Sequence, residues 1–172
     1  MSLVADLGYT HRRGNALQRA LQAFASTRPG AWFFSKTLAR LDRATDRLTR
    51  GRVSLPEVLA GLPSLVLTTT GRRSRQQRST HLIAVPLGDT LALLGTNFGQ
   101  PHTPAWVLNL EAESHARVAY HGVSRAVVAR AATDPERAQI LANSLGVYGG
   151  YRKYQQRITG RRLRMFVLEP AG

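Results

Sequence analysis

The sequence predicts an α+β domain: a small antiparallel barrel with flanking helices, preceded by a helical N-terminal extension. Three observations predict it. Apolar spacing is helical up to about residue 50 and changes to short β-branched runs at Ser64. Those runs are joined by turn residues, Pro86-Leu87-Gly88-Asp89 and His121-Gly122, as in antiparallel hairpins. Helices interrupt the strands too rarely for a doubly wound sheet. The 172 residues suit one core, divided here as 1–52, the extension, and 53–172, the barrel.

The elements follow in order. Leu17, Ala20, Leu21 and Phe24 keep the i, i+3, i+4, i+7 spacing of a helix that ends at Arg28-Pro29-Gly30. Phe34, Leu38, Leu41, Thr45 and Leu48 make a second stripe. Ser54-x-x-Glu57 has capping-box spacing and opens a short helix that Gly61-Leu62-Pro63 ends. Strands are predicted at 65–70, 79–85 and 91–96. Thr103-Pro104 reads as an N-cap with proline at the first helical position, starting a helix to about Leu110. Strands at 117–120 and 123–131 flank the His121-Gly122 turn. Thr133-Asp134-Pro135-Glu136 opens a helix to about Leu145. A Gly/Tyr-rich segment, 146–154, precedes a sixth strand at 164–168.

Composition narrows the function. There is no cysteine, which excludes disulfides, thiolate metal sites, iron–sulfur ligation and a cysteine nucleophile. No apolar run approaches the ~18–20 residues of a membrane span, and the N-terminus lacks a signal-peptide stretch. A cytoplasmic protein is expected. The net charge is +14, nearly all from arginine, since only Lys36 and Lys153 are lysines. Arginine bias either reflects a GC-rich genome or points to an anionic partner. The charge is spread, with net +6, +2 and +6 over residues 1–60, 61–120 and 121–172. That spread, and the lack of aromatics interleaved on a basic strand face, argue against nucleic acid.

Three segments carry candidate chemistry. The first, Thr68 to Thr80, is a turn between strands with Arg72, Arg73, Arg75 and Arg78 among Ser and Thr hydroxyls. Arginine forks bind phosphate and carboxylate in pairs of hydrogen bonds. Gly71 permits a backbone conformation that other residues resist. The segment reads as an anion site or as a solvated basic hairpin. It is not a Walker loop. The second, Asn97 to Leu110, is a Gly/Pro loop feeding a helix N-terminus. Trp106 and Leu110 share a face that reads as core packing, and Asn109 is placed to cap or brace the loop. In the third, Tyr148, Tyr151 and Tyr154 are spaced for one helix face, which alone reads as packing. His11, His81, His102, His115 and His121 lack metal spacing and read as surface or turn residues, so no metal is assigned.

Together the three segments, ending in Phe166-Val167-Leu168-Glu169-Pro170, resemble the deazaflavin-dependent nitroreductase family, which uses coenzyme F420. The resemblance covers about residues 60–170. It implies an FMN-binding-like split β-barrel, with the cofactor's phosphate and oligoglutamate tail along the arginine loop. It implies cofactor contacts from Thr70, Gly71, Arg72, Arg73, Ser74, Arg78, Ser79 and Thr80. Leu82, Ile83, Ala84 and Val85 would line the ring. Asn97, Phe98, Gly99, Gln100 and Pro101 would run along its other side, with Trp106 nearby. Tyr151 would act at the ring and substrate as the catalytic residue, and Tyr148 and Tyr154 would line the substrate pocket. FMN is the less fitting cofactor. The chain departs from the family pattern at Arg75 (usually glycine), His81 (proline), Thr103 (histidine) and Val107 (an aromatic).

The resulting expectation is an oxidoreductase moving a hydride from reduced F420 to a small electron-poor molecule, a quinone or activated alkene, with nitro reduction incidental. The cofactor supplies the chemistry, in keeping with the lack of a carboxylate or histidine cluster. The alternative is a carrier of a flavin-like or lipid ligand without turnover. Residues 12–50 admit two readings: amphipathic helices in peripheral contact with an anionic membrane, on the inner face of the cell membrane, or a cover over the barrel.

Overall fold

The computed structural model describes residues 2–10, 16–27, 29–30, 32 and 61–172. The 52/53 boundary, the Phe34–Leu48 stripe and the helix opened at Ser54 lie outside the described residues. So do most of the residues assigned to membrane contact.

Helix α1 (Leu3–Leu7) is short and capped at both ends. Ser2 Oγ accepts from the Ala5 N–H, and Gly8 ends the helix at φ 61°. Helix α2 (Ala16–Ala25) follows. Its expected apolar stripe is not a buried face: Leu17 is 79% exposed and Phe24 49%. The helix instead docks through its C-terminal end, described below.

The strands are β1 (Ser64–Thr70), β2 (Gln77–Ile83), β3 (Val85–Leu87), β4 (Thr90–Leu94), β5 (His115–Tyr120), β6 (Val123–Ala131) and β7 (Met165–Pro170). They form one sheet in the order β2-β1-β5-β6-β7-β4-β3, antiparallel at every pairing in register. The sheet curls into a half-barrel. Strands β4 and β7 are buried on both faces, which explains their unbroken apolar runs. Leu91, Leu93, Phe166 and Leu168 face one core with Leu65, Leu67, Val118 and Val127. Ala92, Leu94, Met165 and Val167 face a second core. The period of two in side-chain direction fixes this division.

The strand expected at 79–85 is two strands, so there are seven rather than six. The chain breaks at Ala84, and the break is repaired from afar. The Tyr9 hydroxyl donates to the Ala84 carbonyl at 2.8 Å and accepts from its N–H at 3.2 Å. Both backbone groups of a buried residue outside the ladder are thereby satisfied. Tyr9, Leu3 and Leu7 pack in the barrel core itself. Pro86 and Leu87 belong to β3, so the turn narrows to Gly88-Asp89. The His121-Gly122 hairpin has φ of 47° and 86°, the positive values that a tight two-residue turn needs.

Helix α3 (Ala105–Ala112) starts one residue later than expected, with Pro104 rather than Thr103 at the N-cap. It brings Trp106, Val107 and Leu110 to the first core. Helix α4 (Asp134–Val147) opens where Thr133 predicted, its Thr133 N–H donating to the Glu136 carboxylate at 2.8 Å. Helix α5 (Gly150–Arg157) follows after two residues, and α4 and α5 cover the second core. Arg130 ties β6 to α4 and β7, bonding Glu136 with both Nη atoms and Glu169 with Nε, at 2.6–2.8 Å.

Candidate active site

A cleft of about 950 Å³ runs from the β1–β2 turn to the tyrosine cluster of α4 and α5. Its polar end is the arginine loop, residues 71–76. The Gly71 N–H donates to the Gln76 carbonyl at 2.8 Å, and the Arg75 N–H to the Gly71 carbonyl at 2.7 Å, closing the turn. The left-handed residue is not Gly71 but Arg75, at φ 56°. Glycine is needed at 71 for space: a Cβ there would sit 2.6 Å from Ser74 Oγ and 3.1 Å from the Gln76 carbonyl oxygen. Arg75 thus holds, at a steric cost, a backbone conformation that suits glycine.

Asn109 on α3 fastens this loop. Its Oδ1 accepts from the Arg72 N–H at 3.1 Å, and its Nδ2 donates to Thr69 Oγ1 at 3.0 Å. Expected to cap or brace the Gly/Pro loop of its own segment, Asn109 braces the arginine loop instead. Arg72, Arg73, Arg75 and Arg78 are exposed, and among the described residues none forms an ion pair. Arg78 Nη2 reaches Gln76 Oε1 at 3.2 Å. Such guanidinium groups remain available to an anion in solution.

The other end is aromatic. Tyr151 Oη donates to the Ile83 carbonyl at 3.1 Å, and Tyr154 Oη to the Ala25 carbonyl at 3.0 Å. The Tyr148 and Tyr154 hydroxyls are 3.1 Å apart. Tyr148 Oη also reaches the Gln22 carbonyl at 3.4 Å, so either hydroxyl can serve as donor between the two tyrosines. Burial raises all three phenols above their ordinary pKa, Tyr151 and Tyr154 the most. The three are not one helical stripe. Tyr148 is the extended residue after α4, while Tyr151 and Tyr154 lie on α5. The sharp α4–α5 corner, rather than one helix face, brings the rings within 5.5–5.8 Å of Tyr148. The Tyr151 hydroxyl assigned to catalysis is committed to a backbone carbonyl. Its ring faces the cleft.

The same cluster holds α2 in place. Arg157 Nη2 donates to the Ser26 carbonyl and Lys153 Nζ to Ser26 Oγ, at 2.6 and 3.1 Å. Cations thus meet the C-terminal end of α2, where its free carbonyls gather. Docked in this way, α2 adds Leu21 and Ala25 to the cleft.

Of the expected cofactor residues, Gly71, Arg72, Arg73, Ser74, Arg78, Ser79, Thr80, Leu82, Ile83, Asn97, Phe98, Trp106 and Tyr151 line the cleft, with Tyr148 and Tyr154. Ala84 and Val85 do not: both are fully buried in the two cores, because the strand break turns them inward. Thr70, Gly99, Gln100 and Pro101 also lie off its wall. Gly99 packs under Arg157, where a Cβ would sit 3.0 Å from the arginine's own Cβ. Trp106 does both jobs, packing on Phe166 with ring centroids 6.0 Å apart. Sequence reasoning did not place Leu21, Ala25, Leu62 and Thr96 at the site. It also read His81 and His102 as surface or turn residues; both line the cleft, and His81 is half-buried. Among the described residues, no three His, Asp or Glu side chains converge to hold a metal, and no helix is long and apolar enough to cross a membrane.

The family model of the F420H(2)-dependent quinone reductases matches residues 38–170. The chain belongs to that family. An F420H(2)-dependent quinone reductase of Mycobacterium tuberculosis is 35% identical over 81 residues, 47% of this chain and 54% of the relative. The chain thus spans about half the length of the curated relatives it matches. An F420-H2-dependent reductase of known structure, FDR-A, superposes with a TM-score of 0.54 at 26% identity, over 62% of this chain and 94% of that one. A heme-binding protein from Mycobacterium smegmatis shares the fold, with a TM-score of 0.50 at 17% identity, over 64% of this chain and 47% of the other. These likenesses bear out the expected split-barrel architecture.

Proposed function

We propose that this member of the family binds reduced F420 in the cleft and reduces a quinone or a similarly electron-poor small molecule. One observation carries the reading: Arg72, Arg73 and Arg78, which form no ion pair among the described residues, line one end of a cleft whose far end is apolar and aromatic. That polarity matches a cofactor with a polyanionic tail and a flat ring. When bound, F420 supplies the hydride.

The chain's own residues do the rest. Arg72, Arg73 and Arg78 hold the tail, and Asn109 keeps their loop in position. Leu82 and Ile83 form one wall of the ring site, Asn97 and Phe98 the other. All three tyrosine hydroxyls donate to internal acceptors, and burial keeps them protonated. We therefore assign Tyr151 to shaping the ring site through its bond to Ile83. The proton that follows hydride transfer comes from water at the open mouth. Nitro reduction would be a side activity of the same site.

Fluorescence titration with F420 beside FMN tests the reading. F420 should bind more tightly, and its affinity should fall as glutamates are removed or salt is added. Equal affinity for the two cofactors at low salt would overturn it. Binding of F420 without quinone turnover would instead favour a carrier.

A further inference from the structure

Asn97, Phe98 and Gly99 are three successive residues with positive φ, at 47°, 56° and 78°. That conformation suits glycine and penalises residues with a Cβ. A left-handed turn carrying an asparagine and a phenylalanine persists only if its surroundings over-determine it. Some of the hold is local. The Gly99 N–H donates to the Thr96 carbonyl and the Gln100 N–H to the Asn97 carbonyl, both at 2.9 Å. Phe98 packs edge-on to Tyr154, with centroids 5.9 Å apart.

The carbonyls on either side of the turn go to one side chain, Arg161, from the segment before β7. Its Nη1 donates to the Gly95 carbonyl at 2.9 Å, its Nη2 to Thr96 at 2.9 Å and its Nε to Gln100 at 3.1 Å. Each guanidinium nitrogen has one carbonyl partner, and among the described residues no carboxylate pairs with it. A planar fork spans three carbonyls in this way; an ammonium does not. Arg161 itself is off the cleft wall, whereas Thr96, Asn97 and Phe98 are on it.

We propose that Arg161 is a positioning residue: by gripping the Gly95, Thr96 and Gln100 carbonyls it holds the Asn97–Gly99 turn left-handed and sets the cleft wall opposite Leu82 and Ile83. Only the effect on cofactor rests on the proposed use of F420. The grip is a property of the free protein.

Amide hydrogen exchange on the full chain tests it, comparing wild type, Arg161→Lys and Arg161→Gln, with Arg162→Gln as the neighbouring control of equal charge loss. In both Arg161 variants the Gly99 and Gln100 amides should exchange at least about tenfold faster, the equivalent of one lost charge-assisted hydrogen bond. Amides of β5 and β6 should not change. The F420 dissociation constant should rise by a similar factor in both, although Arg161→Lys keeps the charge, and Arg162→Gln should bind as wild type. No acceleration at Gly99 and Gln100, or equal acceleration across the sheet, would overturn the proposal. If wild type fails to bind F420, the functional reading falls while the exchange data still decide the grip. If neither variant folds, the wild-type Arg161 Nε–H resonance decides: protection from solvent supports the grip, and exchange as fast as that of Arg162 overturns it.

Discussion

Arginines in two regions of this molecule do opposite things. Arg130 is spent on Glu136 and Glu169, Arg164 on Glu111, and Arg161 on three carbonyls. Arg72, Arg73, Arg75 and Arg78 crowd one turn, with no carboxylate paired to them among the described residues. The stretch from Arg152 to Arg164 is as basic as the loop, yet Lys153, Arg157, Arg161 and Arg164 all have internal partners. Charge density in the sequence therefore does not mark a ligand site. What marks it is like charges packed together without an ion pair among the described residues. Such a cluster repels itself until an anion arrives.

The largest effect expected from breaking this contrast is on the loop. Replacing Arg72, Arg73 and Arg78 together with alanine should cut F420 affinity by about a thousandfold or more, at roughly 1.5–3 kcal/mol per well-formed contact. The melting temperature should stay within a degree or two, since no internal bond of a guanidinium to carboxylate is lost. A falling melting temperature with unchanged affinity would place these arginines with the structural set.

Asn109→Ala comes next and should do both kinds of damage. It strips partners from the Arg72 N–H and Thr69 Oγ1, at a cost of about 1–3 kcal/mol in denaturant unfolding. It should also weaken F420 binding by around tenfold by loosening the loop.

The structural set should answer to acid. The Arg130 guanidinium beside Glu136 holds that carboxyl down to about 2, below the usual carboxylate range. A group with a lowered folded pKa adds stability above its unfolded value and loses it as pH falls through the folded one. Unfolding free energy should thus decline between about pH 4.5 and 2 in wild type. In Arg130→Met that part of the decline should shrink, at a cost near neutrality of roughly 1 kcal/mol or less for a half-exposed pair. F420 affinity should not change.

Arg75→Gly should be the mildest variant. Removing the Cβ from φ 56° should raise stability by up to about 1 kcal/mol. One charge is lost from the loop, so F420 affinity should drop slightly, with a shallower salt dependence.

Much of this was legible in the sequence where local chemistry decides. Thr133-x-x-Glu136 opened a helix and His121-Gly122 made a hairpin, each through neighbours or a known spacing. What stayed hidden depends on distant chain. Nothing near Ala84 announces the strand break, because the hydroxyl that makes it tolerable belongs to Tyr9. The tyrosine spacing suggested one helix face, yet the rings meet across a corner. Leu21 and Ala25 reach the cleft only because Arg157, Lys153 and Tyr154 hold the end of α2. Arg161 looked like one arginine among many, since its partners are backbone carbonyls and leave no trace in composition.

The place of β7 has a consequence for how the protein comes apart. It is the last strand in the sequence but sits between β6 and β4, in the interior of the sheet. A polypeptide cut or stalled before Met165 would hold two separate sheets, β2-β1-β5-β6 and β4-β3, each ending in a bare ladder of apolar strand. Unpaired edges of that kind recruit strands from other chains. The exposed Thr159-Gly160 corner just upstream is thus a costly place for a protease to nick: the loss of residues 160–172 would split one sheet into two and leave an aggregation template.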